Sequence, residues 1–270
     1  MEIGIYLRNF GPPSTRELLG FAAARAEEAG LDDLWLADHI AIPPDDAEGS
    51  GGRYLDPLAT LAWLAGRTER IGLGTGVLVL PYRPPLATAK WVATIQELSG
   101  GRLKLGVGAG WMEAEFRAVG VPLERRGAVT DETLRFLHEC FAADEVHAGD
   151  QPFLFLPRPP RPKIYVGGTG APARRRAARL GDGWMPMGTD PKKLAAKAVE
   201  LRLLAQQEGR EVPEILLITT LPLDEPDRAR QVAATLREAG ATQIIHASRY
   251  ANEDEVARIT GGLGALRASL

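Results

Sequence analysis

One cysteine in 270 residues leaves no intramolecular disulfide framework and no cluster of thiolates for zinc. That cysteine, Cys140, stands among Phe136, Leu137 and Phe141 and reads as a buried helical residue. Histidine is almost as scarce. The four at positions 39, 138, 147 and 246 match neither H-x-H nor H-E-x-x-H spacing, so no metal site is expected. No G-x-S-x-G elbow offers a serine nucleophile. No apolar run approaches the roughly 18 residues of a membrane span. The start of the chain has no basic segment followed by a long apolar core, so the cytoplasm is the expected location. Basic residues are not in excess either: 32 Lys and Arg stand against 35 Asp and Glu, for a net charge of −3. Nucleic acid, which calls for a basic face, is not an expected partner. What remains is a chain that is 45% hydrophobic and 25% charged, sufficient to bury a substantial core.

Short strands and helices alternate along the chain. Glu2–Leu7 reads as a strand, followed by a helix that Ser14 caps, with Glu17 completing a capping box and Gly30 ending it. Leu34–Leu36 is a second strand. The Gly-, Pro- and Asp-rich stretch 43–52 reads as an irregular, mobile loop. Asp56-Pro57 opens the next helix. A glycine-laced strand over 70–80, a helix over 86–98 and a strand over 103–107 follow, then helices near 113–119 and 124–142. The second half continues with strands at 163–166, 183–185, 214–221 and 242–246. Helices fall at 174–180, after Asp190-Pro191, at 227–239 and after Asn252 with Glu255. About eight strands each followed by a helix, with no dividing linker, predict one (β/α)₈ TIM barrel over residues 1–270 in preference to an open doubly wound sheet.

In such a barrel the chemistry belongs to the loops that follow the strands. Asp38-His39 ends the second strand. The imidazole can exchange a proton near neutral pH, and Asp38 is available to orient it. Gly72, Gly74 and Gly76 alternate along the third strand, and Gly106, Gly108 and Gly110 along the fourth, ahead of Trp111. Neither run is a dinucleotide fingerprint, because its third glycine comes one residue early and no helix starts there. Bare strand ends fit either a flat ligand or the taper of a barrel. The sharpest local motif is Gly167-Gly168-Thr169-Gly170, which joins a strand to a helix N-terminus with Pro172 in its first turn. Free amides and the positive end of a helix dipole there suit a phosphate. Arg174, Arg175, Arg176 and Arg179 crowd the same helix, either as a solvated face or as an attraction for an acidic cofactor tail.

These segments together resemble the luciferase-like monooxygenase superfamily, and within it the F420-dependent oxidoreductases. The resemblance is carried by Trp35-Leu-Ala-Asp38-His39, by residues 70–83, by 101–111 with Glu115-Phe116, and by 166–170 through Gly181-Asp-Gly-Trp184. It implies a coenzyme F420 or FMN ring over the barrel mouth, near Gly108 and Trp111, with its phosphate on Gly167–Gly170. It also implies a non-proline cis peptide at Gly76-Val77, a catalytic His39 and a cofactor contact at Asp38. The segment between Val146 and Pro157 is short for the family, and Trp111 stands where some F420 dehydrogenases carry glutamate. The expected protein is an F420-dependent oxidoreductase acting on a small organic molecule, and a homodimer. An FMN monooxygenase and a non-catalytic flavin or deazaflavin binder are the alternatives. An isomerase or aldolase barrel would want a lysine or a carboxylate pair at strand ends, and none is evident.

Overall fold

A computed structural model describes residues 1–188 and 190–270. In chain order it contains β1 (Glu2–Tyr6), α1 (Arg16–Glu28), β2 (Asp33–Leu36), α2 (Pro57–Ala65), β3 (Gly72–Thr75), β4 (Leu78–Val79) and α3 (Pro85–Leu98). Next come β5 (Leu103–Gly108), α4 (Glu113–Ala118), α5 (Arg126–Ala142), β6 (Glu145–Ala148), β7 (Gln151–Leu154) and β8 (Lys163–Gly167). The chain ends with α6 (Ala171–Leu180), β9 (Gly183–Met185), α7 (Pro191–Gln207), β10 (Glu214–Thr219), α8 (Pro226–Glu238), β11 (Gln243–His246) and α9 (Glu253–Ala268).

The large sheet runs β3-β2-β1-β11-β10-β9-β8-β5-β4, all parallel, and a further β3–β5 pairing closes it into a barrel. β3 and β4 are one stave interrupted at Gly76-Val77. Five residues from Gly74 to Leu78 run beside only four from Lys104 to Val107, so one residue is extra and the stave bulges. The Gly76-Val77 peptide in that bulge is cis.

Two cores sandwich the staves. Leu34, Leu36, Leu73, Leu105, Val107, Ile164 and Val166 face outward and pack under the helices. Trp35, Tyr165, Met185, Leu216, Ile218 and Ile245 fill the barrel interior, with Trp35 and Tyr165 edge to face at 6.0 Å. These rings and the neighbouring backbone account for several of the glycines. A Cβ on Gly74 would lie 2.3 Å from the Trp35 ring, one on Gly183 2.4 Å from Tyr165, and one on Gly106 1.9 Å from the Thr75 carbonyl oxygen. At these positions the barrel's own side chains and backbone occupy the space, and the taper reading holds over the flat-ligand reading. Below the rings a polar plug seals the N-terminal end: Lys104 pairs with Asp33 at 2.8 Å and Glu2 at 3.0 Å, and Gln243 donates to Asp33.

Several local expectations need correction. Thr15, not Ser14, caps α1 by accepting from the Leu18 amide. Ser14 is drawn off because its hydroxyl donates to the Gly11 carbonyl and accepts from Arg53. The stretch 43–52 contains one 3₁₀ turn, Pro44–Asp46. Residues 145–154, read only as a shortened segment, form an antiparallel hairpin of β6 and β7 outside the barrel. Its strands carry Pro152 and little alternation, so no strand signal marks them. By contrast Asp56, Asp190 and Asn252 cap their helices as expected, and Cys140 is buried in α5, its thiol pushed up to about 11 by burial.

Candidate active site

The strand ends converge on one face, and His39 stands there at the end of β2. Its partner is not Asp38. The Asp38 carboxylate turns away and takes a fork of hydrogen bonds from Arg83, at 2.6 and 2.8 Å, plus one from the Val79 amide at 2.8 Å. Burial pushes the Asp38 carboxyl above its usual range, and Arg83 and Val79 oppose that push. Arg83 in turn is held above the usual arginine range by Asp38, against its own burial. Asp38 therefore ties β2 to the turn that follows the bulged stave.

The carboxylate that meets His39 is Glu115 of α4, 76 residues away, at 2.8 Å from Nδ1. Its side chain has no exposed surface. Oε2 also accepts from the Tyr82 hydroxyl at 2.9 Å, while Oε1 accepts from the amides of Ile40 at 2.6 Å and Ala41 at 3.1 Å. A carboxylate surrounded by donors acts as acceptor only, so His39 must donate from Nδ1. Its Nε2 is then the atom left for other partners. The Tyr82 phenol, buried and beside a carboxylate, is pushed above its normal range and stays a proton donor.

Around His39 the surface is aromatic and apolar. Tyr54 lies 4.9 Å away and Trp111 6.1 Å away, both edge-on, with Trp111 69% exposed. Val77, half-buried, packs on the interior cluster just below. The Gly76 carbonyl accepts a 2.5 Å hydrogen bond from Tyr6. Cβ atoms on Gly108 or Gly167 would each come within 2.6 Å of a Val77 methyl. These two glycines make room for Val77 to form the floor of the mouth.

Across the mouth, Gly168, Thr169 and Gly170 are exposed and lead into α6, whose N-cap, Gly170, provides no side-chain cap. The loop is braced from behind. Trp184 Nε1 donates to the Gly168 carbonyl at 2.7 Å and Arg174 donates to the Thr169 carbonyl at 2.9 Å. With its carbonyls turned to those donors, the exposed backbone and the helix start are suited to an anion. Most of the neighbouring arginines have other work. Arg174 pairs with Glu200 at 2.8 Å, and Arg176 and Arg179 both pair with Asp131, leaving Arg175 as the exposed member without an ion pair among the described residues. An attraction of the whole arginine run for a cofactor tail is not supported.

Sequence reasoning passed over Glu115 and Tyr82 as functional groups. The one local signal was an acidic residue on the apolar side of a short helix, between Met112 and Phe116. Among the described residues no group of three or more His, Cys, Asp or Glu could hold a metal ion, and no helix is long and apolar enough to cross a membrane.

Comparison with known proteins gives the family and the fold. The family model described as luciferase-like monooxygenase matches residues 1–264. The F420-dependent glucose-6-phosphate dehydrogenase of Amycolatopsis mediterranei is 34% identical over 186 residues, covering 65% of this chain and 54% of its own. The FMNH₂-dependent dimethylsulfone monooxygenase of Pseudomonas putida is 30% identical over 184 residues, covering 64% and 50%. The chain thus aligns with about half the length of each enzyme. Among solved structures, monooxygenase RslO1 from Streptomyces bottropensis superposes with a TM-score of 0.83 at 21% identity, covering 100% of this chain and 99% of that one.

Proposed function

Because the chain belongs to the luciferase-like monooxygenase family, whose relatives use F420 or FMN, we propose that it is an F420-dependent oxidoreductase with His39 as its proton-handling residue. The observation that carries the reading is the Glu115–His39 pair. When bound, the deazaflavin supplies or accepts a hydride, and the protein has to handle the proton that accompanies oxidation or reduction of an organic substrate. Glu115 holds Nδ1 and so fixes the ring's tautomer and orientation. That leaves Nε2 to take or return a proton at the substrate's oxygen.

The residues present fit the cofactor. Val77, Gly76, Gly108 and Trp111 would form the floor and edge under a planar ring. The backbone of half-buried Gly167 and of exposed Gly168, Thr169 and Gly170 would take the phosphate at an uncapped helix start. Asp38 would act behind the ring, by holding the bulged stave through Val79 and Arg83. With the ring in place, Trp111, Val77 and Tyr54 would shield it from water on one side.

FMN is the second reading, and one experiment separates the two. Stopped-flow absorbance is recorded for reduced F420 and reduced FMN bound to the protein, with and without oxygen. Oxygen-independent oxidation of reduced F420 by an organic acceptor is the expected result. Rapid oxygen-dependent oxidation seen only with FMN would replace the proposal with a monooxygenase. In the same assay His39→Ala is expected to lower turnover by about 10²–10⁴ while cofactor affinity changes little. A variant that turns over like the wild type removes His39 from the mechanism.

A further inference from the structure

On the side away from the phosphate loop the mouth carries two arginines, Arg8 and Arg249, that have no carboxylate in ion-pair range among the described residues. β8, which feeds that loop, lies four staves from β1 around the closed barrel and is therefore opposite it. Arg8 follows β1 directly. Its backbone amide donates to the Tyr250 hydroxyl at 2.7 Å, and its Nη1 donates to the Tyr250 carbonyl at 3.0 Å. The guanidinium also lies 5.3 Å from the Phe10 ring. It is thus held in place from two sides, yet among the described residues it has no carboxylate in ion-pair range. Arg249, exposed, follows β11, the neighbour of β1, and is likewise unpaired among the described residues. The two carboxylates beside the ends of β2 and β5, Asp38 and Glu115, have no exposed side-chain surface and are fully engaged.

A row of rings joins Arg8 to His39. Phe10 stacks on Tyr54 at 5.3 Å, and Tyr54 meets His39 at 4.9 Å. Trp111, Ile40 and Met187 are 69%, 47% and 67% exposed, which is unusual exposure for large apolar side chains. A fixed cation at one end, a ring-lined path, and an imidazole at the other end form a recognition pattern for a molecule of matching polarity. Resting on the oxidoreductase reading, we propose that Arg8, assisted by Arg249, is an anion site for the substrate, which carries a carboxylate at one end. The substrate's apolar body lies along Phe10 and Tyr54, and its reacting carbon reaches His39. Arg8 is a specificity residue in this scheme and takes no part in the chemistry.

The test uses 4-phenylbutyrate and its primary amide, which match in shape and differ in charge. Affinities are read from intrinsic fluorescence, to which Trp111 contributes, on the protein without added cofactor and again with F420. The carboxylate is expected to bind at least about tenfold more tightly than the amide, as a charge-assisted contact to arginine implies. Arg8→Gln should bring the two ligands to within about twofold, and Arg8→Lys should retain part of the preference. Because Arg8 also braces Tyr250, a second measurement needs no variant: the preference should shrink as sodium chloride rises from about 0.05 to about 0.5 M. Equal affinity for the two ligands in the wild type would overturn the proposal. So would a preference that survives both Arg8→Gln and high salt, or an Arg8→Gln effect confined to thermal stability. F420 binding is followed separately by its own absorbance. If F420 fails to bind while the carboxylate preference persists, the anion site stands and the cofactor reading falls.

Discussion

Replacing Glu115 with glutamine keeps the shape of the site and reverses two hydrogen bonds. The amide oxygen can still accept from Ile40 and Ala41, but the NH₂ group then faces His39 Nδ1 and the Tyr82 hydroxyl. His39 would have to accept at Nδ1 and carry its proton on Nε2, the wrong nitrogen for a base directed at the mouth. Turnover in Glu115→Gln is expected to fall by about 10–100-fold with cofactor affinity nearly unchanged. Nitrogen-15 NMR of His39 should show the proton moving from Nδ1 to Nε2. A drop in turnover without that move would assign Glu115 a purely structural role. Glu115→Ala is a harsher change, because it leaves the amides of Ile40 and Ala41 and the buried Tyr82 phenol without their acceptor. It should cost about 3–5 kcal/mol in urea unfolding.

α9 shows how differently two glycines three residues apart behave. A Cβ at Gly261 meets nothing, whereas one at Gly264 would stand 2.7 Å from the Ala29 carbonyl oxygen at the end of α1. Gly261→Ala should therefore stabilise the protein by about 0.5–1 kcal/mol, and Gly264→Ala should destabilise it by about 1–3 kcal/mol. Thermal denaturation of the two variants, moving in opposite directions, checks the packing of α9 on α1. The same contrast marks what could be read from the chain before its structure was known. Caps such as Asp56, Asp190 and Asn252 were legible because each bonds an amide two or three residues away. The choice of Thr15 over Ser14 was not, since Arg53 from a distant loop decides it. The alternating glycines were visible, but what crowds Gly74, Gly106 and Gly108 is Trp35, the Thr75 carbonyl and Val77 on neighbouring staves. His39 could be picked from its position after a strand, while the role of Glu115 could not be read from its place on the apolar side of a short helix, because nothing local marks a pairing across 76 residues.

For the molecule as a whole, acid sensitivity should come first from His246, packed between barrel and helices and 2% exposed. Its Nδ1 accepts from the Leu221 amide at 3.1 Å, and burial lowers the imidazole from 6.5 to about 4. The unfolded chain binds that proton near pH 6.5 and the folded chain only near 4, so the folded state loses stability as the pH falls between these values. The full loss is on the order of 3 kcal/mol. Melts between about pH 7 and about pH 5 should show most of the decline, and His246→Asn, which keeps an acceptor for Leu221, should flatten it. The polar plug of Lys104, Asp33, Glu2 and Gln243 has a different consequence for the molecule. With the far end of the barrel sealed and the interior filled by Trp35, Tyr165 and their neighbours, no passage runs through the barrel, and both members of a bound pair must share the one open face. Saturating 4-phenylbutyrate should therefore slow F420 dissociation in a chase experiment if both sit at that face, without altering its rate of release from Arg8→Gln.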